Sequence, residues 1–274
     1  MTIPYKDRGL RLQNPGWQTG TMSFRRSRAL VPVLEVLPEA GSTNDVLRAR
    51  AGDLPDLSVV VTDDQTGGRG RLGREWVSPP GKALAISVLL RPVGLRPEAF
   101  GWFPLLAGLA MSRALTGFVP GEVEVKWPND VLIGGEKVCG ILCELLPGMT
   151  GLVVGTGVNL TQDSAELPTE TATSLALAGA TDPDPDAVLA AYLTELTKLY
   201  REFLASGGDP GRSALRDEVA EACHTLGRVV RVELPGGGIV EGAAVAIDDG
   251  GRLIVESDTG RTAVAAGDVT HLRY

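Results

Sequence analysis

The segment between residues 122 and 160 constrains the fold most, because it holds four β runs separated only by tight turns. Proline cannot donate to a strand ladder, so Pro128 ends the first run, and the pair Gly134-Gly135 turns the second. Strands joined by turns this short pair antiparallel, since a parallel pair needs a longer crossover connection. The sequence therefore predicts an antiparallel sheet built from Glu122–Trp127, Asp130–Ile133, Lys137–Leu146 and Gly151–Leu160.

Further strands and several helices flank this sheet along the chain. Strands are predicted over Val31–Leu37, Leu57–Thr62 and Ala83–Leu90, where apolar and β-branched residues dominate. Helices are predicted by apolar spacing from the N-cap Ser42 or Thr43 onward, over about 97–117, near 184–206 and near 211–222. Pro104 is expected either to kink the second helix or to mark its true start. These elements indicate an α+β protein with a mixed, largely antiparallel sheet.

The composition changes after Leu226-Gly227, where short β runs alternate with glycine-containing turns over about 50 residues. Strands this short and this closely spaced predict a small β-barrel. Residues 1–30 are polar, rich in arginine and without periodicity, so they predict a disordered leader. The expected organisation is therefore a leader over 1–30, a larger domain over 31–224 and a small barrel over 225–274.

The acidic balance of the chain argues against several classes of partner. Its 274 residues carry a formal net charge of −8, whereas nucleic-acid binders are typically basic. Three cysteines without a CxxC pair and only two histidines predict neither a disulfide framework nor a zinc or histidine-rich metal site. No apolar run approaches the roughly 20 residues of a membrane span, and the N-terminus lacks a signal-peptide core. We expect a cytoplasmic protein without nucleic-acid or membrane partners.

The stretch Gly67–Trp76 (GGRGRLGREW) predicts a mobile lid over an anionic ligand. Its glycines let the backbone approach a ligand closely, its arginines offer forked donors for carboxylate or phosphate oxygens, and Trp76 offers a face for stacking. A solvated basic loop between strands, or an RNA-binding segment, would share this composition. The spacing of Gly68, Gly70 and Gly73 formally matches GxGxxG, but Trp76-Val-Ser-Pro-Pro80 cannot cleanly start the helix that a Rossmann fold requires.

A second motif, Lys126–Asp130 (KWPND), ends a strand at a turn and presents Asn129 and Asp130 there. Seven residues later, Lys137 opens the apolar run that contains Cys139 and Cys143. A lysine beside a turn is usually solvated surface. A lysine at the start of a core strand beside an aspartate turn instead favours a site in which the ammonium stabilises negative charge on a carboxylate or phosphate.

Together these motifs resemble those of biotin–protein ligases. The matching pieces, in the order and spacing of that family, are Gly41–Asn44, Gln65, Gly68–Trp76, Lys126–Asp130, Lys137 with Gly140-Ile141, and Gly155–Asn159. They span about 35–222, and the terminal barrel also fits. The resemblance implies a catalytic biotin- and ATP-binding domain of the class II synthetase and biotin ligase type over 31–224, followed by an SH3-like barrel over 225–274.

The resemblance also implies a two-step reaction with ATP and Mg²⁺. Biotin's carboxylate attacks the α-phosphate of ATP to give biotinyl-AMP and pyrophosphate. A lysine of a biotin carboxyl carrier domain, part of a biotin-dependent carboxylase, then attacks the mixed anhydride. The implied catalytic residues are Lys137, Arg71 and Asp130, with no metal ligand assigned. The implied biotin-binding residues are Ser42, Thr43, Asn44, Gln65, Arg69, Gly70, Arg71, Lys137 and Gly140. The implied ATP and adenylate residues are Arg69, Arg71, Arg74, Trp76, Lys137 and Asn159.

Departures from the family pattern and rival interpretations qualify this hypothesis. Repressor members of the family carry a DNA-binding winged helix before the catalytic domain, whereas the short leader here resembles the monofunctional ligases. Leu72 and Glu75 stand where some relatives are basic, which would alter how tightly the loop holds the adenylate. A lipoate–protein ligase is the alternative within the same superfamily. A regulatory nucleic-acid or ligand-binding module is disfavoured by the acidic charge and the lack of a recognition helix.

Overall fold

The computed structural model describes residues 23–272, so residues 1–22 and 273–274 lie outside the described part of the chain. The helices are α1 (Arg25–Arg28), α2 (Thr43–Arg50), α3 (Phe103–Leu115), α4 (Pro185–Ala205) and α5 (Leu215–Ala222). The strands up to residue 160 are β1 (Leu34–Val36), β2 (Val59–Thr62), β3 (Gly68–Arg69), β4 (Glu75–Trp76), β5 (Ala83–Leu90), β6 (Val123–Lys126), β7 (Asp130–Ile133), β8 (Glu136–Leu145) and β9 (Leu152–Asn159). The later strands are β10 (Val229–Glu233), β11 (Ile239–Ile247), β12 (Leu253–Ser257), β13 (Gly260–Val264) and β14 (Asp268–His271).

Seven strands form the main sheet, in the spatial order β1-β2-β5-β9-β8-β7-β6. β1 and β2 run parallel, and every other neighbouring pair is antiparallel. The antiparallel pairing predicted for the runs between residues 122 and 160 is therefore confirmed. β3 and β4 pair with each other as a separate two-stranded hairpin, which carries the glycine loop.

Helices cover both faces of this sheet, as the alternation of side chains along each strand allows. Leu47 of α2 packs in a small cluster with Val60 and Leu89, whereas Val59 and Val61 belong to the main core that includes α3 and α4. α2 therefore covers one face of the sheet, and its first turn lies against β9, which is rich in glycine.

The predicted helix over 97–117 is divided in two. Pro97–Trp102 is a 3-10 helix, and α3 begins at Phe103, so Pro104 lies in the first turn of α3 and marks its start. Proline fits there because the first N–H groups of a helix have no acceptor within the helix. Phe103 then packs edge-on against Phe203 of α4, with ring centroids 5.9 Å apart.

The predicted disordered leader over residues 1–30 is wrong for its last part, and residues 1–22 lie outside the described region. Arg25–Arg28 form α1, which packs on the start of α4. The Asp186 carboxylate accepts hydrogen bonds from the backbone N–H groups of Arg26 and Ser27 and from the Ser27 hydroxyl, at 2.7–3.0 Å. The sequence pattern missed this segment because a distant carboxylate, rather than local periodicity, fixes it.

The C-terminal strands form a second, fully antiparallel sheet in the order β13-β12-β11-β10-β14. The turn between β11 and β12 docks on the larger domain. The indole N–H of Trp102 donates to the carbonyl of Asp249 at 2.8 Å, and that of Trp127 donates to the carbonyl of Gly251 at 3.0 Å. These contacts bring the start of β14 beside the glycine loop. Among residues 23–272, no helix is both long enough and apolar enough to cross a membrane.

Candidate active site

A cavity opens on the sheet between the first turn of α2, the glycine loop and the part of the β7–β8 pair where Asp130 lies opposite Gly140. Its walls include the predicted site residues Ser42, Thr43, Asn44, Gln65, Arg69, Gly70, Arg71, Arg74, Trp76, Asp130, Lys137 and Gly140. The motifs that are separate in the sequence therefore meet at one place in the fold. Asp268, at the start of β14, is the contribution of the C-terminal sheet to the lining.

The floor of the cavity requires glycine at two positions of β9. A Cβ at Gly155 would lie 2.4 Å from the Asn44 side chain, and one at Gly157 would lie 2.5 Å from the Trp76 ring. Both separations are too short for any other residue without displacement of a neighbour. The two glycines of the GTGVN motif (residues 155–159) therefore allow α2 and the end of the glycine loop to pack directly against the sheet.

Polar groups at the start of α2 are held in a network that reaches into the sheet. The buried Ser87 hydroxyl on β5 donates to Asn44 Oδ1 at 2.6 Å and lies 2.8 Å from Thr43 Oγ1. The Asn44 amide donates to Glu144 at 2.7 Å and to the carbonyl of Leu142 at 3.2 Å. Asn44 is thus fully engaged by the protein, which makes it a scaffold for its neighbours.

Ser42 and Gln65 keep polar groups available at the head of the cavity. Ser42 is the N-cap residue of α2, yet its side chain makes no capping hydrogen bond. The side-chain oxygen of Gln65 accepts from the backbone N–H of Thr43 at 2.9 Å, which leaves the amide NH₂ of Gln65 as a donor. A hydroxyl and an amide donor at one end of a pocket suit a neutral polar ring system.

Arg71 is the loop arginine that points inward. Its guanidinium donates to Asn129 Oδ1 at 2.8 Å, and the Asn129 amide in turn donates to the carbonyl of Ile141 at 2.8 Å. Burial lowers the pKa of Arg71, opposed by the nearby carboxylates of Asp268 and Asp130. A partly desolvated guanidinium that forms no ion pair with a carboxylate among residues 23–272 is well placed to take an anionic oxygen.

The other two loop arginines pair with carboxylates of the protein. Arg69 makes two hydrogen bonds to the Asp45 carboxylate of α2, at 2.6 and 2.8 Å. Arg74 pairs with Asp268. The hydrogen bonds from Arg69 are the main reason why the pKa of Asp45 is lowered. The three arginines, equivalent in the sequence, therefore have different surroundings in the fold.

Lys137 and Asp130 form an ion pair at the edge of the cavity. Lys137 Nζ lies 2.7 Å from Asp130 Oδ1, and this buried oxygen has no hydrogen-bond donor among residues 23–272 apart from the paired ammonium. The β7–β8 pairing brings Asp130 opposite Gly140, beside which the lysine chain passes. Lys137 and Asp130 are thus held together at the edge of the cavity.

Asn159 does not share this location. It lies at the end of β9, outside the cavity lining, and its amide donates to the carbonyl of Thr173 at 2.9 Å while its oxygen accepts from Gln162 at 3.0 Å. The nucleotide contact of Asn159 therefore stays a prediction from the family resemblance. The asparagine ties β9 to the following loop, and sequence spacing could not distinguish the two roles.

Three residues of the site were not among the predicted ones: Asp45, Ser87 and Asp268. Asn129 was expected at the KWPND turn beside Asp130, without a role of its own. Ser87 is the one polar residue within the apolar strand β5, which is a usable signal for a buried hydrogen-bonding role. Asp45 and Asp268 carry no local signal, because each is an ordinary surface carboxylate until the fold places it beside a loop arginine.

Comparison with known families agrees with the resemblance that the sequence motifs indicated. The model of the biotin/lipoate A/B protein ligase family matches residues 36–160, and the model of the biotin protein ligase C-terminal domain matches residues 225–272. The biotin--[acetyl-CoA-carboxylase] ligase of Mycobacterium tuberculosis is 39% identical over 245 residues, which cover 88% of this chain and 89% of the relative. The enzyme of the same description from Paracoccus denitrificans is 32% identical over 85% of this chain and 98% of its own length.

Solved structures agree with the sequence relatives. The biotin protein ligase from Aquifex aeolicus in complex with biotin and ATP superimposes with a TM-score of 0.74 at 30% identity, covering 89% of this chain and 100% of that chain. The ligase from Leishmania major in complex with biotinyl-5-AMP superimposes with a TM-score of 0.61 at 25% identity. Each of these matches covers 89% of this chain, so the fold described above is similar to that of solved biotin protein ligases over most of its length.

Proposed function

This chain belongs to the biotin–protein ligase family, and on that premise we propose which of its residues perform each part of the reaction. The chain is an ATP-dependent biotin–protein ligase, which forms biotinyl-5′-AMP and then transfers biotin to a lysine of a protein. The observation that carries the assignment of residues is the meeting of Arg71, Lys137 and the α2 polar groups in one cavity. We propose that the acceptor is the biotin carboxyl carrier domain of a biotin-dependent carboxylase.

The head group of biotin binds at the start of α2. Its ureido carbonyl needs donors and its N–H groups need acceptors, and Ser42, Thr43 and Gln65 offer both kinds. The Gln65 oxygen is already held by the backbone of Thr43 at 2.9 Å, so the amide NH₂ has a fixed direction. This pre-orientation lowers the entropy lost on binding. Asn44 supports the site through Ser87 and Glu144.

In the first step a carboxylate oxygen of biotin attacks the α-phosphorus of ATP. The new P–O bond forms as the bond to the β-phosphate oxygen breaks, and pyrophosphate leaves. Arg71 and Lys137 stabilise the charge that builds on the phosphoryl oxygens, because prearranged donors act most strongly in a partly desolvated site. Trp76 lies across Gly157 on the same side and offers an aromatic face to the nucleotide.

In the second step the neutral amine of the acceptor lysine attacks the acyl carbon of the anhydride. The C–O bond to AMP breaks, AMP leaves, and the amine loses a proton as the amide forms. Before this attack Asp130 orients the incoming ammonium and takes one proton to give the neutral amine, since its carboxylate already holds an ammonium, that of Lys137, at 2.7 Å, and the proton released with the amide passes to solvent. Lys137 is then released to the phosphate oxygens of the adenylate.

Magnesium fits this arrangement. Mg²⁺ is usually held by one or two carboxylates together with substrate phosphates, and Asp130, Asp268 and Glu75 are the carboxylates in the cavity wall. The buried Asp130 Oδ1, which lacks a hydrogen-bond donor other than its ion-pair partner, is the most suitable oxygen. When bound, the ion would neutralise phosphate charge.

Two finer features of the protein are also proposed. The order β13-β12-β11-β10-β14 and its uniform antiparallel pairing support an SH3-like closure of the C-terminal sheet. We also propose a cytoplasmic location, because the ligase uses ATP and its proposed acceptor belongs to a carboxylase. Both are proposals that rest on the family and on the strand order.

A transfer assay tests the proposed acceptor and separates biotin from lipoate. The protein is incubated with MgATP, a carrier domain and either biotin or lipoate, and the carrier is weighed by mass spectrometry. We expect the mass increase of one biotinyl group and none with lipoate. ATP–pyrophosphate exchange, measured without carrier, isolates the first step. Exchange with lipoate and none with biotin would reverse the assignment, and exchange without transfer to any carrier would overturn the proposed acceptor.

A further inference from the structure

We infer that Asp45 and Asp268 are positioning residues that fasten the glycine loop at its two ends and so aim Arg71 into the site. Asp45 lies on α2 of the catalytic domain, and Asp268 is the first residue of β14 in the C-terminal sheet. The loop between β3 and β4 is therefore tied to both domains at once. This inference rests on the proposed function only where it concerns substrate affinity.

The first fastening joins Arg69 to α2. Two parallel hydrogen bonds of 2.6 and 2.8 Å link its guanidinium to the Asp45 carboxylate, a geometry that fixes direction as well as distance. Glu144 adds a second carboxylate, with its Oε1 atom 3.8 Å from the Arg69 guanidinium. Arg69 is thus held at the rim by groups of the protein, and it sets where the loop begins.

The second fastening joins the far end of the loop to the C-terminal sheet. Arg74 pairs with Asp268, and the guanidinium of Arg71 lies 3.4 Å from the carbonyl of Gly267. Asp268 has a defined position because it opens β14 in register with Glu233 of β10. The sheet itself is held to the catalytic domain through the indoles of Trp102 and Trp127.

The loop needs such ties because it has little else to hold it. Leu72, at its tip, is 55% exposed and adopts a left-handed backbone conformation with φ of 56°. A segment with few apolar contacts and several glycines remains mobile unless polar contacts fix it. Arg71 sits between the two fastened arginines, so its direction depends on both ties.

A direct role of Asp268 in phosphate binding is disfavoured by charge. A carboxylate in a pocket for anions repels phosphate unless a cation neutralises it, and Arg74 performs that neutralisation. The pair is then electrically neutral, while Arg71 keeps its charge for the substrate. Arg69 and Arg74, each paired with a carboxylate, therefore hold the loop in place, and Arg71 is left to bind the ligand.

Hydrogen exchange of the full chain without substrates tests the fastening independently of the catalytic assignment. Asp268→Asn and Asp45→Asn should each speed amide exchange in residues 67–76, and Asp268→Glu should restore the wild-type rate. The matched controls are Asp258→Asn, between β12 and β13, and Asp53→Asn, after the end of α2. Both carboxylates are exposed, and neither forms an ion pair among residues 23–272. Exposed ion pairs are worth little, so the increase should reach up to about five-fold.

Steady-state kinetics then tests the consequence for catalysis. The kcat/KM for MgATP should fall by up to about five-fold in Asp268→Asn and recover in Asp268→Glu, because a displaced Arg71 loses part of its contact with the phosphate oxygens. Unchanged exchange in residues 67–76, or equal changes in the two control variants, would overturn the fastening. A hundred-fold fall in kcat that Asp268→Glu does not rescue would instead make Asp268 a direct ligand. Normal kinetics with faster exchange would overturn only the claim about Arg71.

Discussion

Replacing Lys137 by alanine should nearly abolish adenylate formation while leaving biotin affinity measurable. Biotin's carboxylate carries one negative charge in the ground state, and further charge builds on the phosphoryl oxygens as it attacks. A donor that contacts both groups gains most in that transition state. Losing such a donor typically costs about 10²–10³ in rate, or roughly 3–4 kcal/mol. Biotin binding should fall less, because Ser42, Thr43 and Gln65 still hold the head group.

The ion pair with Asp130 adds a cost in stability that must be separated from the chemistry. Removing Lys137 leaves the buried Asp130 Oδ1 without the ammonium 2.7 Å away, and an unsatisfied buried acceptor costs about 1–3 kcal/mol. In Lys137→Ala/Asp130→Asn the orphaned charge is removed as well. The double variant should regain most of the lost unfolding free energy, yet its adenylation should stay as slow as in the single variant.

Single-turnover adenylation with enzyme in excess over labelled ATP measures the rate, and titration calorimetry measures biotin affinity. Lys137→Arg should rescue only in part, because a planar fork does not reproduce a compact ammonium. Lys198→Ala, on the exposed side of α4, is the matched control. Adenylation by Lys137→Ala at near the wild-type rate would refute the reasoning and leave Lys137 as a surface lysine with a structural partner.

Two further predictions concern the glycine loop. Gly157→Ala should raise the KM for ATP and lower the unfolding free energy by about 1–3 kcal/mol, because its Cβ would lie 2.5 Å from the Trp76 ring. The control Gly52→Ala should change neither quantity, because a Cβ there meets open space. A normal KM in Gly157→Ala would contradict the role of this contact. Amide exchange in Gly67–Gly73 should slow when biotin and ATP are added, because contacts to anionic oxygens must offset an ordering cost of roughly 1–2 kcal/mol per residue; equal rates with and without them would contradict this.

Local sequence patterns were sufficient where an element is set by its own residues. The bounds predicted for Ala83–Leu90 and Asp130–Ile133 are those observed, because each apolar run is enclosed by turn residues that fix its ends. The antiparallel pairing of the strands between residues 122 and 160 followed from the turn lengths alone. The meeting of the loop, Lys137 and the start of α2 was predicted through family resemblance, and the cavity lining confirms that these residues lie together.

Long-range pairings could not be predicted in the same way. Arg74 and Asp268 are 194 residues apart, and no periodicity or spacing links them. The helix α1 was missed for the same reason, since Asp186 fixes it from a distance of about 160 residues. Asn159 stays a predicted nucleotide contact, and the motif spacing did not predict that its side-chain amide also bonds to Thr173 and Gln162.

The contact between the two domains should make stability depend on pH through His271. This residue ends β14 and packs against His224, with ring centroids 5.0 Å apart. Burial, together with the charges of Lys126, His224 and Arg228, lowers the pKa of His271 from 6.5 to about 4. Its buried Nε2 has no hydrogen-bond partner among residues 23–272, so nothing there compensates a proton.

The sign of the effect follows from comparing the two states. Between pH 6.5 and about 4 the unfolded chain binds a proton at His271 that the folded protein does not, so the unfolding free energy falls as pH drops through this range. From pH 7 to pH 5 the loss due to His271, discounted for its partial exposure, is about 1–2 kcal/mol. Urea unfolding of the wild type and of His271→Gln at both pH values measures it. The variant should be less sensitive to pH by that amount, and an identical pH dependence in both proteins would show that His271 is protonated in the folded state, with its charge accommodated beside Lys126 and Arg228.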